Sequence, residues 1–522
     1  MGSLIHSQIQ SVSPSVSGAM AGAAGTTIEL DSKQRTMLRN RFFPPLLLLK
    51  SLNEVGRRDA NKKEADAPLN RNQTPEEKFR IFVNKLAQIC EYRPKGHTIT
   101  ACTVLVQTDG RILYLFASNG RSSKEKIRKT LEDVKCVLNM LRSSILSEKR
   151  ESDDVLHDRL LRQVLSVNHV RITSYLVELT AQLQKCIEAC GKGGGSDENM
   201  ETEKVLRLLL PMVPNCQVRG QGQTSPEYIT SLMTFIEVLQ KFQQLPAKKM
   251  VEKRAAEEQA LNHDAGCWSS FQHATGRVVS YQYAVESIIN ASHIWDKTNL
   301  FLEFDVEFLP SSSPHQWPLQ YDPKSEHKPK TAHDILGRVT SPDQVELYRG
   351  LAKELQMFGL DDTIGQEWQS KKFTPIVHAE MLLHDYLEST PEAGGTLPHR
   401  FFNNWRYIGS SKPICRLCRY YFDAIATPVG FRPTHGNIYY NWRLPDMYRS
   451  EQEDPIQKYE NEERQRKKWR DVMNKVKFRV CADVMLVLKD KGYKKKHDTN
   501  TTTDRIIAAF AGLHVSAQYA SA

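Results

Sequence analysis

The sequence predicts an α/β fold, with a mixed β-sheet flanked by helices, a large all-α insertion and a basic helix near the C-terminus. Three patterns support this fold class. A β-hairpin pattern covers residues 99–116, and a shorter strand pattern lies at residues 405–409. Between them, apolar residues recur mainly at helical spacing. We therefore predict that the strands of one sheet lie in two parts of the sequence, with helices between them.

The size and composition indicate a folded protein with more than one packed unit. The chain has 522 residues, of which 40% are hydrophobic and 25% are charged. The longest apolar runs, residues 46–49 and 484–488, are too short to span a bilayer, so no membrane partner is predicted. No signal-peptide pattern starts the chain, and the ten cysteines form no dense framework. We therefore expect an intracellular protein, cytoplasmic or nuclear.

Local patterns also divide the chain into segments. Ser, Ala and Gly in residues 1–28 predict a flexible tail, and a short helical or turn segment is predicted to follow through Leu52. Thr74, Pro75 and Glu77 form a capping box at the start of a helix, and Asp109-Gly110 joins the strands of the hairpin. The predicted segments are a flexible N-terminal region (1–73), a first helix and hairpin (74–120), a mainly helical insertion (121–370), a motif-bearing core (371–450), a basic amphipathic helix (451–497) and a C-terminal tail (498–522).

The core segment carries one histidine and two cysteines with metal-ligand spacing. His378-Ala379-Glu380 is followed by the only CxxC pair of the sequence, Cys415 and Cys418. Two cysteines three residues apart on a first helical turn point the same way, and the helix N-terminus favours their thiolate form. A catalytic zinc ion typically takes three protein ligands and leaves a fourth position for water. The pattern therefore predicts Zn²⁺ bound by His378, Cys415 and Cys418.

Glu380 is the candidate proton carrier. It lies two residues after the histidine at the start of a predicted helix, so its side chain need not share the direction of the histidine. We predict that it lies beside the zinc-bound water, whose pKa the metal lowers, and passes a proton to a leaving amine. The order H-x-E and then P-C-x-x-C is the signature of hydrolytic deamination.

At these residues the sequence resembles the cytidine deaminase-like superfamily, and most of all the fungal OTT-like nucleic acid/nucleotide deaminase family. The matching residues are His378-Ala379-Glu380 and Ser411-Lys412-Pro413-Ile414-Cys415-Arg416-Leu417-Cys418, with further similar stretches at 432–436 and 442–445. The resemblance implies a central sheet with flanking helices, zinc ligands at His378, Cys415 and Cys418, and Glu380 as catalytic acid and base. One departure from the standard pattern is Ile414, which separates the proline from the first cysteine.

Two further residues are candidates for substrate binding. Asn119 follows the second strand of the hairpin, and the resemblance implies that it faces the pocket and hydrogen-bonds the substrate. A turn formed by Asn119 and Gly120 is the alternative. His435 lies in a Thr-His-Gly turn after the helix that follows the cysteines, where it either lines the pocket or stabilises the turn.

The predicted function is hydrolytic removal of an exocyclic amine from a cytosine-like or adenine-like base, free or within a nucleic acid. Simpler alternatives stay open. The CxxC pair alone fits a structural thiol pair, and His378 alone fits an ordinary helix histidine. A zinc-stabilised, catalytically inactive interaction module, which uses the helical insertion to bind a partner, fits the same residues.

The positive charge of the chain is concentrated near its C-terminus. Between Arg464 and Lys496 there are thirteen Lys or Arg and three Asp. This excess permits binding to nucleic acid phosphates, and a solvated helix face is the alternative. Apolar residues between Trp469 and Leu488 recur at helical spacing, so one side of this helix is predicted to pack against the domain. No pattern in the sequence indicates an oligomeric state.

The strands near the motif are too few to form a sheet alone. Residues 405–409 and 438–441 are the two strand patterns there, and a two-stranded unit cannot bury a core. We therefore predict that the hairpin joins them in one sheet. The ends of the insertion would then lie close in space, and Asn119 would lie near His378.

Overall fold

The computed structural model describes twelve stretches of the chain. They are residues 26–55, 73–93, 98–120, 123–148, 151–192, 197–214, 225–260, 266–312, 330–369, 373–389, 399–449 and 454–489. The predicted C-terminal tail and the end of the predicted basic helix, residues 490–497, lie outside the described residues.

The N-terminal part of the described chain contains the predicted short helical segment, but it is longer and more buried than a flexible region would be. It forms β1 (Thr26–Ile28), α1 (Ser32–Met37) and α2 (Phe43–Val55). Phe42, Phe43 and residues 46–49 are at most 1% exposed. The physical reason is the apolar run itself, which leaves water by packing against neighbouring helices on all sides.

The first helix and the hairpin form as predicted. α3 (Pro75–Ile89) begins with a capping box, in which Thr74 Oγ1 accepts from the backbone N–H of Glu77 at 3.2 Å. The Glu77 carboxylate in turn accepts from the backbone N–H of Thr74 at 2.7 Å. β2 (Thr100–Gln107) and β3 (Ile112–Ser118) pair antiparallel. In their turn Gly110 has a φ of +86°, which glycine adopts without strain.

Six helices of the predicted insertion form one core with α3 on one side of the hairpin. They are α4 (Lys124–Leu146), α5 (Asp153–Lys192), α6 (Asp197–Leu209), α7 (Pro226–Phe242), α8 (Pro246–Ala260) and α9 (Cys267–Ile294). Their apolar side chains share one core with α3 and with alternate hairpin residues such as Tyr114 and Phe116.

The rest of the predicted insertion packs elsewhere. β4 (Phe304–Phe308) pairs in parallel with β3 and adds an edge strand to the sheet. α10 (Ala332–Val339), α11 (Val345–Glu354) and α12 (Leu360–Trp368) join α2 in a second core. The described part of residues 121–370 is thus mainly helical, as predicted, and its helices are divided between two cores. A five-residue edge strand is defined by its partner strand, and the sequence of the segment alone does not reveal that partner.

The segment with the metal-ligand motif completes the sheet. It contains α13 (Ala379–Ser389), β5 (His399–Phe401), β6 (Tyr407–Ser410), α14 (Arg416–Ile425) and β7 (Gly430–Phe431). β5 and β6 both pair antiparallel with β2, and the strand order is β4-β3-β2-β6-β7. This order confirms that the hairpin and the motif segment share one mixed sheet.

The predicted strand at residues 438–441 is wrong. The backbone carbonyl of Asn441 accepts from the backbone N–H of Ile376 at 3.4 Å, next to a single parallel bridge between Ile376 and Trp442. One bridge does not extend into a ladder, so the β-rich composition of this stretch forms a loop. The predicted strand at 405–409 is found as β6, beginning at Tyr407.

The last described helix packs as its apolar stripe predicts. β8 (Met447–Arg449) pairs with β1, and α15 (Pro455–Lys489) follows. Its stripe, from Trp469 to Leu488, is buried in the second core, where α15 contacts α2 and α14. Among the described residues, every helix is too short or too polar to span a bilayer.

Candidate metal centre and active site

The three predicted metal ligands lie at the starts of two helices. His378 immediately precedes α13, which packs against the face of the hairpin opposite the insertion helices. Cys415 is the N-cap residue of α14, and its Sγ accepts from the backbone N–H of Cys418 at 3.4 Å. The CxxC spacing thus places both thiols at one helix N-terminus, where the helix dipole stabilises negative charge.

The side chains of these residues converge in a buried cluster. His378 Nδ1 lies 3.2 Å from Cys418 Sγ and 3.5 Å from Cys415 Sγ, and the two Sγ atoms are 3.4 Å apart. A tetrahedral zinc ion with ordinary bond lengths spaces such ligand atoms by about 3.5–3.8 Å. Within the described stretches, this is the one group of three or more His, Cys, Asp or Glu residues arranged to hold a metal ion.

The protonation of the cluster also suits a cation. Burial raises the pKa of Cys415, but hydrogen bonds from Cys418 and the charge of His378 outweigh burial and bring this pKa well below its usual value. Burial and the neighbouring Cys415 thiolate raise the pKa of Cys418 well above its usual value. Two thiols in contact therefore do not both ionise easily without a positive ion between them. A divalent metal supplies that charge.

Outer contacts orient the ligands. The ring of His378 hydrogen-bonds the backbone of Asn441, and Trp442 contacts the thiol of Cys418. Trp442 is fully buried, and its Nε1–H also donates to Met381 Sδ at 3.0 Å. Such outer partners fix ring and thiolate directions before a metal binds.

Glu380 lies beside the cluster without being part of it. It is in the first turn of α13, is 3% exposed and accepts a hydrogen bond at Oε1 from Ser410 Oγ, at 2.7 Å. Burial raises the pKa of Glu380, with smaller opposing effects from His378 and the hydrogen bonds. A carboxyl group of this kind holds a proton more readily than an exposed one does.

A second layer of contacts fixes Ser410. Its backbone N–H donates to Asn84 Oδ1 at 3.0 Å, and its carbonyl accepts from Arg432 Nη1 at 3.0 Å. The preceding Gly409 lies so close to α3 that an added Cβ would be 2.7 Å from Val83 Cγ1. Sequence analysis missed Ser410 and Asn84, because no local pattern signals a contact between residues so far apart in the chain.

Asn119 lies next to the motif, as predicted. Its Oδ1 accepts from the backbone N–H of Ala379 at 2.6 Å, and its side chain is half-buried. This contact ties the end of β3 to the start of α13. Because Oδ1 is used there, any contact with a substrate would go through Nδ2, and that contact stays a prediction.

His435 lies on the other side of the cysteines. Its backbone N–H donates to the carbonyl of Ile414 at 3.1 Å, and its Nδ1 accepts from the backbone N–H of Asn437 at 3.0 Å. Its ring meets the ring of Tyr439 edge-on, with 5.4 Å between centroids. The turn-stabilising contact is thus present, and a contact with substrate stays a prediction.

Comparison with known proteins identifies the same part of the chain as the structure does. Residues 377–446 match the family model described as OTT_1508-like deaminase. No curated protein and no solved structure gave a match. The matched residues contain the complete His-Cys-Cys cluster and Glu380. Residues 377–446 therefore form a domain similar to this deaminase family, which is consistent with the cytidine deaminase-like superfamily.

Proposed function

We propose that this domain is a zinc-dependent hydrolase that removes an exocyclic amine from a cytosine-like or adenine-like base, free or within a nucleic acid. The observation that carries the proposal is a buried cluster of His378, Cys415 and Cys418 with a separate buried carboxyl group, Glu380, beside it. Structural zinc sites usually have four protein ligands, whereas three ligands with an acid–base residue nearby are typical of catalytic ones.

Zinc suits these ligands because one imidazole and two thiolates are a set that it prefers. His378, through Nδ1, and both Sγ atoms would hold it. When bound, zinc acts as a Lewis acid that lowers the pKa of water toward neutrality.

Glu380 is proposed to move the proton. Hydrolytic deamination replaces a C–N bond with a C–O bond from water and releases ammonia, so one proton must pass from the water to the leaving amine. Ser410 donates to Oε1 of Glu380, which fixes the carboxyl group and leaves Oε2 to take up and deliver the proton. The raised pKa of Glu380 favours the proton-carrying state in this role.

Activity against a substrate panel tests the proposal. Wild-type protein, Glu380→Gln and Glu388→Gln would be assayed on cytidine, adenosine, single-stranded DNA and RNA, with zinc measured in each protein. Glu388 is exposed on the same helix and serves as the matched control. We expect turnover of at least one substrate, its loss in Glu380→Gln with zinc retained, and its retention in Glu388→Gln. Unchanged turnover in Glu380→Gln contradicts the proposed role.

The zinc content itself separates two further alternatives. The double variant Cys415→Ser, Cys418→Ser should lose the metal. Full zinc content in that variant would show that this cluster is not the zinc site. Stoichiometric zinc in a wild-type protein that turns over no substrate would favour the inactive interaction module. An intracellular location, cytoplasmic or nuclear, is also proposed, because the described cysteines are free of disulfide bonds, which suits a reducing compartment.

Nucleic acid binding through α15 is a separate proposal that rests on its basic residues. Part of this charge is paired within the protein, since Arg466 contacts Glu462 at 2.7 Å and Asp31 at 3.7 Å. Arg464 and Lys467 are exposed. Changing both to Gln should weaken DNA binding and reduce its salt dependence, whereas Lys124→Gln with Lys126→Gln on α4 should not. If the two double substitutions weaken DNA binding equally, the basic residues of α15 form a solvated helix face and not a nucleic acid site.

A further inference from the structure

The backbone on both sides of His378 is held by side chains from distant parts of the chain. The N–H of Val377, which precedes this metal ligand, donates to Ser312 Oγ at 2.9 Å. The N–H of Ala379, which follows it, donates to Asn119 Oδ1 at 2.6 Å. Ala379 is the first residue of α13, where backbone N–H groups have no acceptor within the helix. Val377 and Ala379 are at most 1% exposed, so the two side-chain oxygens satisfy donors that water cannot reach.

Ser312 lies just after β4, the edge strand that belongs to the predicted insertion. β4 pairs in parallel with β3, and the pairing continues to Leu309, whose backbone N–H donates to the carbonyl of Phe116 at 2.7 Å. The chain then reaches the segment before α13, where Ser312 Oγ lies 2.9 Å from the backbone nitrogen of Val377 and 3.5 Å from its carbonyl oxygen. The insertion therefore contacts the metal centre through one short segment, residues 309–312.

Ser311 supports the turn that carries Asn119. Its Oγ donates to the backbone carbonyl of Ser118 at 2.9 Å and also contacts the carbonyl of Gly120. These two carbonyls flank Asn119, so the position of the asparagine side chain depends on Ser311. The two neighbouring serines thus act on the backbone before and after the metal ligand, Ser312 directly and Ser311 through Asn119.

The position of the backbone at His378 controls the position of its ligand atom. The atom that faces the two thiols is Nδ1, which is the ring nitrogen nearer to the backbone. A shift of the backbone therefore moves Nδ1 almost directly, because few side-chain rotations lie between them. A ligand must be held within about 0.5 Å of its productive position by the contacts that support it. Cys415 and Cys418 are placed by the first turn of α14, whereas His378 depends on these contacts with other segments.

We propose that Ser311 and Ser312 are positioning residues for His378, so that β4 and the segment after it make the insertion part of the metal centre. The hydroxyl of Ser312 fixes the backbone before the ligand, and the hydroxyl of Ser311 fixes the turn that carries Asn119. Without Ser312, the buried N–H of Val377 finds an acceptor only if the backbone moves, and Nδ1 then moves with it. The proposal rests on the proposed function for the presence of zinc, but not for deamination.

Zinc affinity and the spectrum of cobalt-substituted protein test this inference. Ser312→Ala removes the acceptor of the Val377 N–H, and we expect zinc affinity, measured by chelator competition, to fall by about tenfold. Cobalt(II) absorbs visible light at wavelengths and intensities that depend on its ligand geometry, so the cobalt spectrum should change in the same variant. A role in stability alone would lower the unfolding midpoint of the metal-free protein and leave the spectrum of the folded, cobalt-loaded protein unchanged.

The matched control is Ser280→Ala in α9. Ser280 is half-buried like Ser312, and its Oγ accepts from Gln88 Nε2 at 2.9 Å, a contact that joins α9 to α3. Ser280→Ala should keep zinc affinity within about twofold of the wild-type value and leave the cobalt spectrum unchanged. Unchanged zinc affinity or an unchanged cobalt spectrum in Ser312→Ala, or equal changes in Ser280→Ala, overturns the inference.

A double-mutant cycle tests the indirect route through Asn119. Ser311→Ala alone should weaken zinc binding by less than Ser312→Ala does, because Ser311 acts through an intervening side chain. In an Asn119→Ala background, Ser311→Ala should have no further effect on zinc affinity. If the effects of Ser311→Ala and Asn119→Ala add in full, Ser311 does not act through Asn119 and its positioning role is refuted.

The outcomes also separate this inference from the proposed function. If Ser312→Ala weakens zinc binding as expected but wild-type protein turns over no substrate, the proposed function fails and the positioning role stands. If wild-type protein deaminates a substrate but Ser312→Ala changes neither zinc affinity nor the cobalt spectrum, the proposed function stands and the positioning role fails.

Discussion

Asp483 offers a sharp test of how the cysteine-bearing helix is held in place. This aspartate lies on α15, is 1% exposed and accepts from Arg416 Nη1 at 3.1 Å. The hydroxyl of Tyr420 donates to the same carboxylate oxygen. Arg416 lies between the two cysteines, so the carboxylate of Asp483 anchors α14 next to the metal cluster. The substitution Asp483→Asn removes the charge and keeps the shape.

The size of the effect follows from burial. Removing one partner of a buried ion pair outright costs about 3–5 kcal/mol, because the remaining charge is left without compensation. Asparagine keeps an acceptor for Tyr420, so we expect a loss of about 2–3 kcal/mol in the free energy of unfolding. Loss of an outer contact of a metal site typically weakens metal binding by about tenfold or more, and we expect that for zinc.

Chelator competition for zinc and denaturant unfolding would measure both quantities. The matched control is Asp423→Asn on α14, because Asp423 is about one third exposed and pairs with Arg419 at 2.8 Å on the helix surface. That exposed pair should contribute less than about 1 kcal/mol and leave zinc affinity unchanged. If Asp483→Asn behaves like Asp423→Asn in both assays, α15 does not hold the cysteine helix and the reasoning is refuted.

Three further predictions concern stability and can be checked by denaturant unfolding. Gly409→Ala should lower the free energy of unfolding by about 1–3 kcal/mol, because its Cβ would be 2.7 Å from Val83 Cγ1. An unchanged midpoint of denaturant unfolding would contradict this close approach. Phe42→Ala should lower the free energy of unfolding by about 3–5 kcal/mol, because Phe42 is fully buried. An unchanged free energy of unfolding would support the prediction of a flexible N-terminal region. Burial raises the pKa of Asp385 to about 7, so this group destabilises the fold as pH rises from about 4 to 7. Asp385→Asn should therefore stabilise the protein at pH 8, by at most about 4 kcal/mol, and much less at pH 4; an equal effect at both would contradict the shift.

The sequence predicted the metal cluster and the hairpin because each depends on short-range geometry. Two cysteines on one helical turn point the same way, and an Asp-Gly turn between β-branched runs is a strong local signal for a hairpin. Joining them in one sheet followed from a simple physical need, since too few strands lay near the motif to bury a core. The pairing of β2 with β6 meets that need.

The supports of the site were not predictable in this way. Ser410 contacts Asn84 across 326 positions of sequence, and the partner of Lys412 is Glu91, just after α3. Polar residues at these positions look ordinary in the sequence, because their partners are chosen by tertiary packing. The burial of the N-terminal helix α2 was not predicted for a related reason, since its partners α12 and α15 lie hundreds of residues away.

The central position of β2 has a consequence for how the chain is made. β3 follows β2 immediately, but β6 begins about 300 residues later, and ribosomes add about 5–20 residues per second. One edge of β2 therefore stays unpaired for about 15–60 s while the ribosome synthesises the insertion. During that time the insertion helices can cover one apolar face of the hairpin, but the other face and the open edge stay exposed to neighbouring nascent chains. The nascent hairpin is thus exposed to aggregation during synthesis, and conditions that slow translation of the insertion should increase aggregation more than equal delays after β6.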